Sequence, residues 1–337
     1  MRQMGFSEAI DDALGQAMAG DPRILLLGED VRGLHAGLFA RFGRQRVRNT
    51  PISEAAFLGA AVTASMAGLR PVAEIMLVDF MSVAVDALLN HAAKLETFSG
   101  GRWRAPLVVR TACGGGYGDG GQHEQSLWGW LAHIPGLSVV VPSTPADAGG
   151  LMLACLELGS PAVFMEHKLI SSLWLDFLGS GGRDTVTYDV PAEGTRGPVP
   201  DRWDPIPIGH AILRRHGSDL TIATLGVGVH RALEAAATLE KRGMHAGVLD
   251  LRSVSPLDTV SLCEQVGISG RLLVVDEDYE GFALSGEIAA AVLGAGVAFK
   301  YARVCTQTTI PYAPRLEEET LPNVRRILDA CEKLLEQ

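Results

Sequence analysis

Asparagine is nearly missing from this 337-residue chain: only Asn49, Asn90 and Asn323 are present. Any motif that needs an asparagine at a fixed distance from other ligands therefore has few places to find one. Cysteine is sparse as well. Cys113, Cys155, Cys263, Cys305 and Cys331 lie far apart, are odd in number and form no CxxC pair. That excludes a structural zinc signature and a disulfide framework, and it reads as a reducing compartment. No apolar run reaches the length of a membrane span, and the first residues lead into an amphipathic helix without a signal peptide, so the expected setting is the cytoplasm. Positive charge is in deficit. A net charge of -10 argues against a nucleic-acid role and against docking on anionic membrane.

What is present is a hydrophobic content of 47% spread over a length that accommodates two cores. The runs 24–30, 71–76, 106–110, 137–142 and 162–165 are short, continuous and apolar, and helical stretches at 7–18, 54–66, 81–98 and 145–158 separate them. Continuous runs alternating with helices predict a parallel sheet covered on both faces. Glycine makes 33–43 read as a mobile loop. From about Trp174 to Pro207 the periodicity lapses into Gly- and Pro-rich sequence, which reads as a linker. A second, smaller alternating set follows, with strands at 220–225, 246–250, 272–276 and 301–304. It carries no evident catalytic cluster, and Glu317-Glu318-Glu319 reads as the start of a helix.

Two stretches stand apart. Pro51-Ile52-Ser53-Glu54-Ala55-Ala56-Phe57 closes a loop and opens a helix rich in Ala and Gly, along which a flat ligand or another backbone approaches closely. Ser53 is placed to cap that helix, and Glu54 falls in its first turn, where the dipole favours a carboxylate. By itself a first-turn Glu is an ordinary stabilising feature. The second stretch, Gly114-Gly115-Gly116-Tyr117-Gly118-Asp119-Gly120-Gly121-Gln122-His123, is a glycine-rich loop ending on a histidine. In parallel sheets ligands bind outside the carboxyl ends of strands, and Glu54, Phe80 and His123 all fall on connections of that kind.

These stretches, with Gly68-Leu69-Arg70-Pro71-Val72, Asp79-Phe80, Pro135-Gly136-Leu137, Pro142-Ser143, Pro161 to His167 and Asp250 to Asp258, resemble in order the motifs of the β subunit of the E1 component of 2-oxo acid dehydrogenase complexes. That family is transketolase-like and depends on thiamine diphosphate. The resemblance implies an α/β chain of two doubly wound domains: a mainly parallel-sheet pyrimidine-binding domain at 1–175, a linker at 176–207 and a smaller transketolase C-terminal-like domain at 208–337. It implies that Glu54 is the carboxylate hydrogen-bonded to N1′ of the cofactor's aminopyrimidine, favouring the imino tautomer that takes the thiazolium proton. It makes Phe80 the aromatic stacked on that ring, with Ile52 and Met76 beside it. His123 then steers the 2-oxo acid or the acyl acceptor. Each has an ordinary reading beside this one: Phe80, Ile52 and Met76 as core, His123 as a cap of the next helix. One departure is plain. Most of the family carries Ser after this histidine, where this chain has Glu124, a carboxylate able to raise the pKa of His123 or to change which acceptor fits.

Three patterns fail on inspection. Gly118-Asp119-Gly120 imitates the start of the thiamine diphosphate–Mg²⁺ motif, but no asparagine stands about 25–30 residues later. His123-Glu124 begins a zincin pattern, yet Leu127 occupies the place of its second histidine. Gly226-Val227-Gly228 lacks the third glycine of a dinucleotide fingerprint. The chain is thus equipped for the pyrimidine end of the cofactor, and the resemblance implies an α subunit that holds Mg²⁺ and the diphosphate in an α2β2 heterotetramer. It also implies a K⁺ bound through backbone carbonyls at Leu107, Cys155, Leu156, Leu158 and Ser160, with Leu158 standing where the family has Asp. The acceptor implied is a lipoyl-bearing E2. Ketol transfer to a carrier protein and a non-catalytic scaffold are the other readings.

Overall fold

The structure is a computed structural model and describes residues 1–179, 191 and 194–336. The first sheet has seven strands in the order Ser253–Ser255, Ser138–Val140, Ala162–His167, Val108–Cys113, Arg70–Leu77, Ile24–Gly28 and Val47–Asn49. All neighbours run parallel except the first pair. Ile24–Gly28, Val108–Cys113 and Ala162–His167 are buried at every position, as strands covered on both faces must be. On one face, Phe6, Ile10, Leu14 and Met18 of the helix Phe6–Gly20 recur every fourth residue and are wholly buried, forming one stripe of the core. That helix packs on Pro145–Glu157, which starts with Pro145 in its first turn and with Asp147 N–H donating to Thr144 Oγ1 at 3.2 Å.

The second sheet has five strands in the order Lys300–Thr306, Arg271–Tyr279, Leu220–Thr224, Ala246–Asp250 and Ile212–Arg215, parallel except for the last pair. The two sheets share one apolar core, in which Leu131 and Val139 lie in a single cluster with Leu249 and Leu262. Buried polar bonds add to it: Trp128 Nε1 donates to Asp276 Oδ1 at 2.9 Å and Arg252 Nη1 to Asp147 Oδ1 at 3.2 Å. Ser253–Ser255 belongs in sequence to the second half, yet it pairs antiparallel with Ser138–Val140 of the first.

Four local expectations change. The stretch 33–43 is largely helical, within Val31–Leu34 and Ala36–Phe42, because His35 is anchored in the protein interior. The helix expected at 81–98 is divided into a 3₁₀ turn Val78–Val83, a π turn Ala87–Ala92 and a short helix Leu95–Phe98. The expected linker opens inside the helix Ser172–Gly179 and later contains Arg196–Val199, which pairs antiparallel with Arg2–Gly5; much of the remainder lies outside the described residues. Ser53 occupies the cap position, but its side chain makes no capping hydrogen bond. Among the described residues no helix is long and apolar enough to cross a membrane.

Candidate active site

The carboxyl ends of four adjacent parallel strands converge on one edge of the first sheet. Ile24–Gly28 delivers Glu29, Arg70–Leu77 delivers Asp79 and Phe80, Val108–Cys113 delivers the glycine-rich loop, and Ala162–His167 delivers Lys168. The helix Glu54–Met66 packs against Arg70–Leu77 and the turn Val78–Val83, so Glu54 opens beside this edge. Glu54 is half-buried, and burial, Asp30 and Glu54 together push the Glu29 carboxyl upward. Ile52 is 75% exposed and belongs to no described core cluster.

Met76 and Phe80 are half-buried and pack against Leu77, Ala112 and Trp174. The Phe80 ring meets the His123 ring edge-on, with centroids 5.8 Å apart and planes at 85°. His123 therefore does not cap the next helix, Trp128–Ala132, whose cap position is Leu127. Its Nδ1 lies 3.8 Å from Asp119 Oδ2, beyond hydrogen-bond reach, and is buried without a hydrogen bond among the described residues. Asp79 Oδ2 is likewise buried without a hydrogen bond among the described residues, while Oδ1 accepts from Gln125 Nε2 at 2.8 Å.

The loop reaches this position because glycine allows it. Gly114 has φ +93°, and a Cβ there would come within 2.0 Å of His167 Nε2. The Glu124 carboxylate, fully buried, accepts from Asp119 N–H at 2.7 Å and Tyr117 N–H at 3.3 Å. The carboxylate nearest His123 Nδ1 is Asp119.

Several buried side chains at this edge were not singled out from sequence. Lys168, with no exposed surface, donates from Nζ to the His123 carbonyl at 2.8 Å and sits 4.9 Å from the Tyr117 ring. Tyr117 Oη donates to the same carbonyl. Burial pulls the Lys168 amine down from its usual value, against the opposing charge of Asp79. Behind it, His167 Nε2 donates to Glu277 Oε1 at 2.8 Å while its Nδ1 accepts from Leu169 N–H. Burial lowers His167; the Glu277 carboxyl resists burial and is held well below its usual range by His167 and Arg231. The signal in the sequence was Glu166-His167-Lys168, three polar residues closing an otherwise apolar strand.

The carbonyls expected for K⁺ lie on the far side. Leu107 O accepts from Ala162 N–H at 3.0 Å, and Leu156 O accepts from the Arg70 guanidinium. Leu107, Cys155 and Leu156 are buried, Leu158 is exposed, and Ser160 lines a cavity of about 370 Å³ with Leu137 and Pro256. Among the described residues, no three His, Cys, Asp or Glu side chains are grouped to hold a metal.

Residues 2–171 match the pyrimidine-binding domain of transketolase, and 209–327 match the transketolase C-terminal domain. The β subunit of an acetoin:2,6-dichlorophenolindophenol oxidoreductase of Cupriavidus necator is 37% identical over 99% of this chain and 98% of its own length. The 2-oxoisovalerate dehydrogenase β subunit of Bacillus subtilis is 35% identical over 100% of both chains. The pyruvate dehydrogenase E1 β subunit of Rhizobium meliloti is 35% identical over 98% of this chain and 69% of its own. Among solved structures, a split-gene transketolase described as an inactive β4 tetramer superposes with a TM-score of 0.78 over 99% of both chains at 21% identity, which speaks to the fold alone. With its fold, its strand-edge site and its full-length relatives on the same footing, the chain belongs to the transketolase-like, thiamine-diphosphate-dependent family of 2-oxo acid dehydrogenase E1 β subunits.

Proposed function

We propose that this chain is the β half of an E1 enzyme that, with an α subunit in an α2β2 assembly, decarboxylates a 2-oxo acid and passes the acyl unit to a lipoyl group on E2. The observation that carries the reading is the convergence of Met76, Phe80 and His123 beside the Glu54 helix, at the carboxyl edge where parallel sheets bind ligands. The residues fit one end of the cofactor. A half-buried carboxylate, an aromatic ring and an apolar flank suit a pyrimidine, and two buried polar atoms, Asp79 Oδ2 and His123 Nδ1, have no hydrogen bond among the described residues. When bound, thiamine diphosphate supplies a carbon nucleophile for the 2-oxo group. Glu54, in the first turn of its helix, would accept a hydrogen bond from the pyrimidine nitrogen. Phe80, with Ile52 and Met76 beside it, orients the ring. His123 holds or gives a proton at Nδ1 toward the substrate or its acceptor.

In this proposal Mg²⁺ and the diphosphate belong to the α subunit, and the enzyme works in the cytoplasm. The division into 1–175, 176–207 and 208–337 is retained, in keeping with the two domain matches. A K⁺ at the carbonyls of Leu107, Cys155, Leu156, Leu158 and Ser160 would have to share Leu156 O with Arg70. Ketol transfer to a carrier protein is not favoured, because relatives matched over nearly their whole length are named as β subunits of an acetoin oxidoreductase, of a 2-oxoisovalerate dehydrogenase and of a pyruvate dehydrogenase E1 component.

The test is to purify the chain with its companion subunit and assay pyruvate and 2-oxoisovalerate decarboxylation and acetoin cleavage. Thiamine-diphosphate-dependent turnover of one of them is expected, with loss in Glu54→Gln. Turnover unaffected by that substitution overturns the proposal.

A further inference from the structure

The turn that precedes His123 is held in an unusual way. Gly116 and Gly118 have φ of 108° and 76°, which turns the amides of 116–119 toward carboxyls on two sides. Two side chains divide these four successive amides alternately. Glu317 Oε1, from the helix Pro314–Thr320, accepts from Gly116 N–H at 2.9 Å and Gly118 N–H at 3.1 Å. Glu124 Oε1 accepts from Tyr117 N–H at 3.3 Å and Asp119 N–H at 2.7 Å. Both carboxyls are buried, and Gly115 lies so close to Leu321 and Glu124 that a Cβ there would meet Leu321 at 2.8 Å.

We infer that Glu124 and Glu317 are a positioning pair, gripping the 116–119 turn from both sides and thereby setting the adjacent His123 against Phe80. The inference rests on the proposed role of His123. The pair lies between halves of the chain: Glu124 belongs to the loop of the first sheet, Glu317 to a helix of the second half. Two carboxyls in contact in a dry site do not both ionise. Burial first, and then the Glu317 carboxyl, push Glu124 up to about 9, while the Asp119 amide and the Lys168 ammonium pull the other way. Glu317, Lys168 and the amides of Tyr117 and Asp119 are the groups that act on Glu124, and Lys168 is itself fastened to the His123 carbonyl. At neutral pH the pair therefore retains one proton. Deprotonation above about 9 places two charges in the turn and loosens it.

The experiment compares Glu124→Ala, Glu124→Gln and Glu317→Gln in the assembled enzyme, reading kcat and KM from pH 6 to 10. Amide hydrogen exchange of the 114–123 peptide is read in parallel, corrected for intrinsic rate. Glu124→Ala is expected to speed exchange of the turn tenfold or more at neutral pH and to lower kcat by a similar factor, with little change in the cofactor's KM. Glu124→Gln keeps the acceptor oxygen and offers a permanent donor to Glu317, so it is expected to rescue most of both losses and to erase the alkaline limb near pH 9. Glu317→Gln is expected to erase the same limb. Wild-type exchange in Glu124→Ala, or an unmoved limb in both Gln variants, overturns the inference. If exchange responds as expected and no assembled enzyme turns over a 2-oxo acid, the pair stands and the proposed activity falls.

Discussion

Two buried charge clusters lie in the first half of the molecule, and they are finished differently. In the first, within the sheet, Arg110 Nη2 meets Glu166 Oε2 and Arg110 Nη1 meets Asp11 Oδ1, both at 2.9 Å. There His35 bridges Asp11 through Nδ1 and Glu74 through Nε2, both at 2.8 Å, and Ser171 closes on the remaining Glu166 oxygen. In the second, at the carboxyl edge, Asp79 Oδ2 and His123 Nδ1 are buried without a hydrogen bond among the described residues. The polar groups of the first cluster satisfy one another and serve the fold. Those of the second are incomplete in the isolated chain, and incomplete buried polar groups mark where a ligand or a proton belongs.

The contrast can be broken most severely in the first cluster. Arg110→Met leaves three carboxylates around a missing cation and is expected to cost about 3–5 kcal/mol, read as a shift in urea midpoint. A cost near zero would mean that the cluster is dispensable. At the site the expected loss is in rate: Glu54→Gln should reduce turnover of the assembled enzyme about 100-fold, the lower range for general acid–base groups. Its melting temperature should stay that of wild type, since Glu54 is half-exposed and has no described hydrogen bond. An equal fall in melting temperature would move Glu54 into the first category.

A pH experiment sharpens the same comparison. Burial opposes charge on His35, but Glu74 and then Asp11 overcome it and raise its pKa to about 10. A raised folded value means that the charged pair stabilises fully below the unfolded value of 6.5, and that this stabilisation is lost as pH climbs toward 10. Wild type and His35→Gln should therefore differ by about 2 kcal/mol near pH 6, the scale of charge-assisted hydrogen bonds, and converge by pH 10. A constant gap across that range would deny the imidazolium. The smallest effect expected is that of Phe80→Leu. Losing an aromatic contact worth about 1 kcal/mol should raise the half-saturating cofactor concentration about fivefold, with kcat nearly kept. A large fall in kcat there would show that Phe80 positions His123 more than it holds a ring.

The strands and the two-sheet plan were legible because buried parallel strands are continuous apolar runs, and the Glu54 helix was legible from its small residues and first-turn acid. The broken segment between Val78 and Phe98 was not, since it contains neither Gly nor Pro and its interruption comes from packing. The 33–43 stretch misled for the opposite reason. Its glycines read as mobility, while His35 ties it to Glu74, a partner remote in sequence. At the site, Phe80 and His123 were readable from resemblance. Lys168 and Glu317 were not, because a lysine after a strand and an acid in a Glu run look solvated until the fold shows what covers them.

The short strand Ser253–Ser255 has a consequence for how this protein can be divided. Cut at 207, the N-terminal piece would end its sheet on Ser138–Val140 with bare amides and carbonyls, a row ready to recruit any passing strand. Autonomy of the front piece is thus forfeited to the rear one: a gene split at that boundary should yield an aggregating fragment, cured by supplying residues 208–337 alongside it.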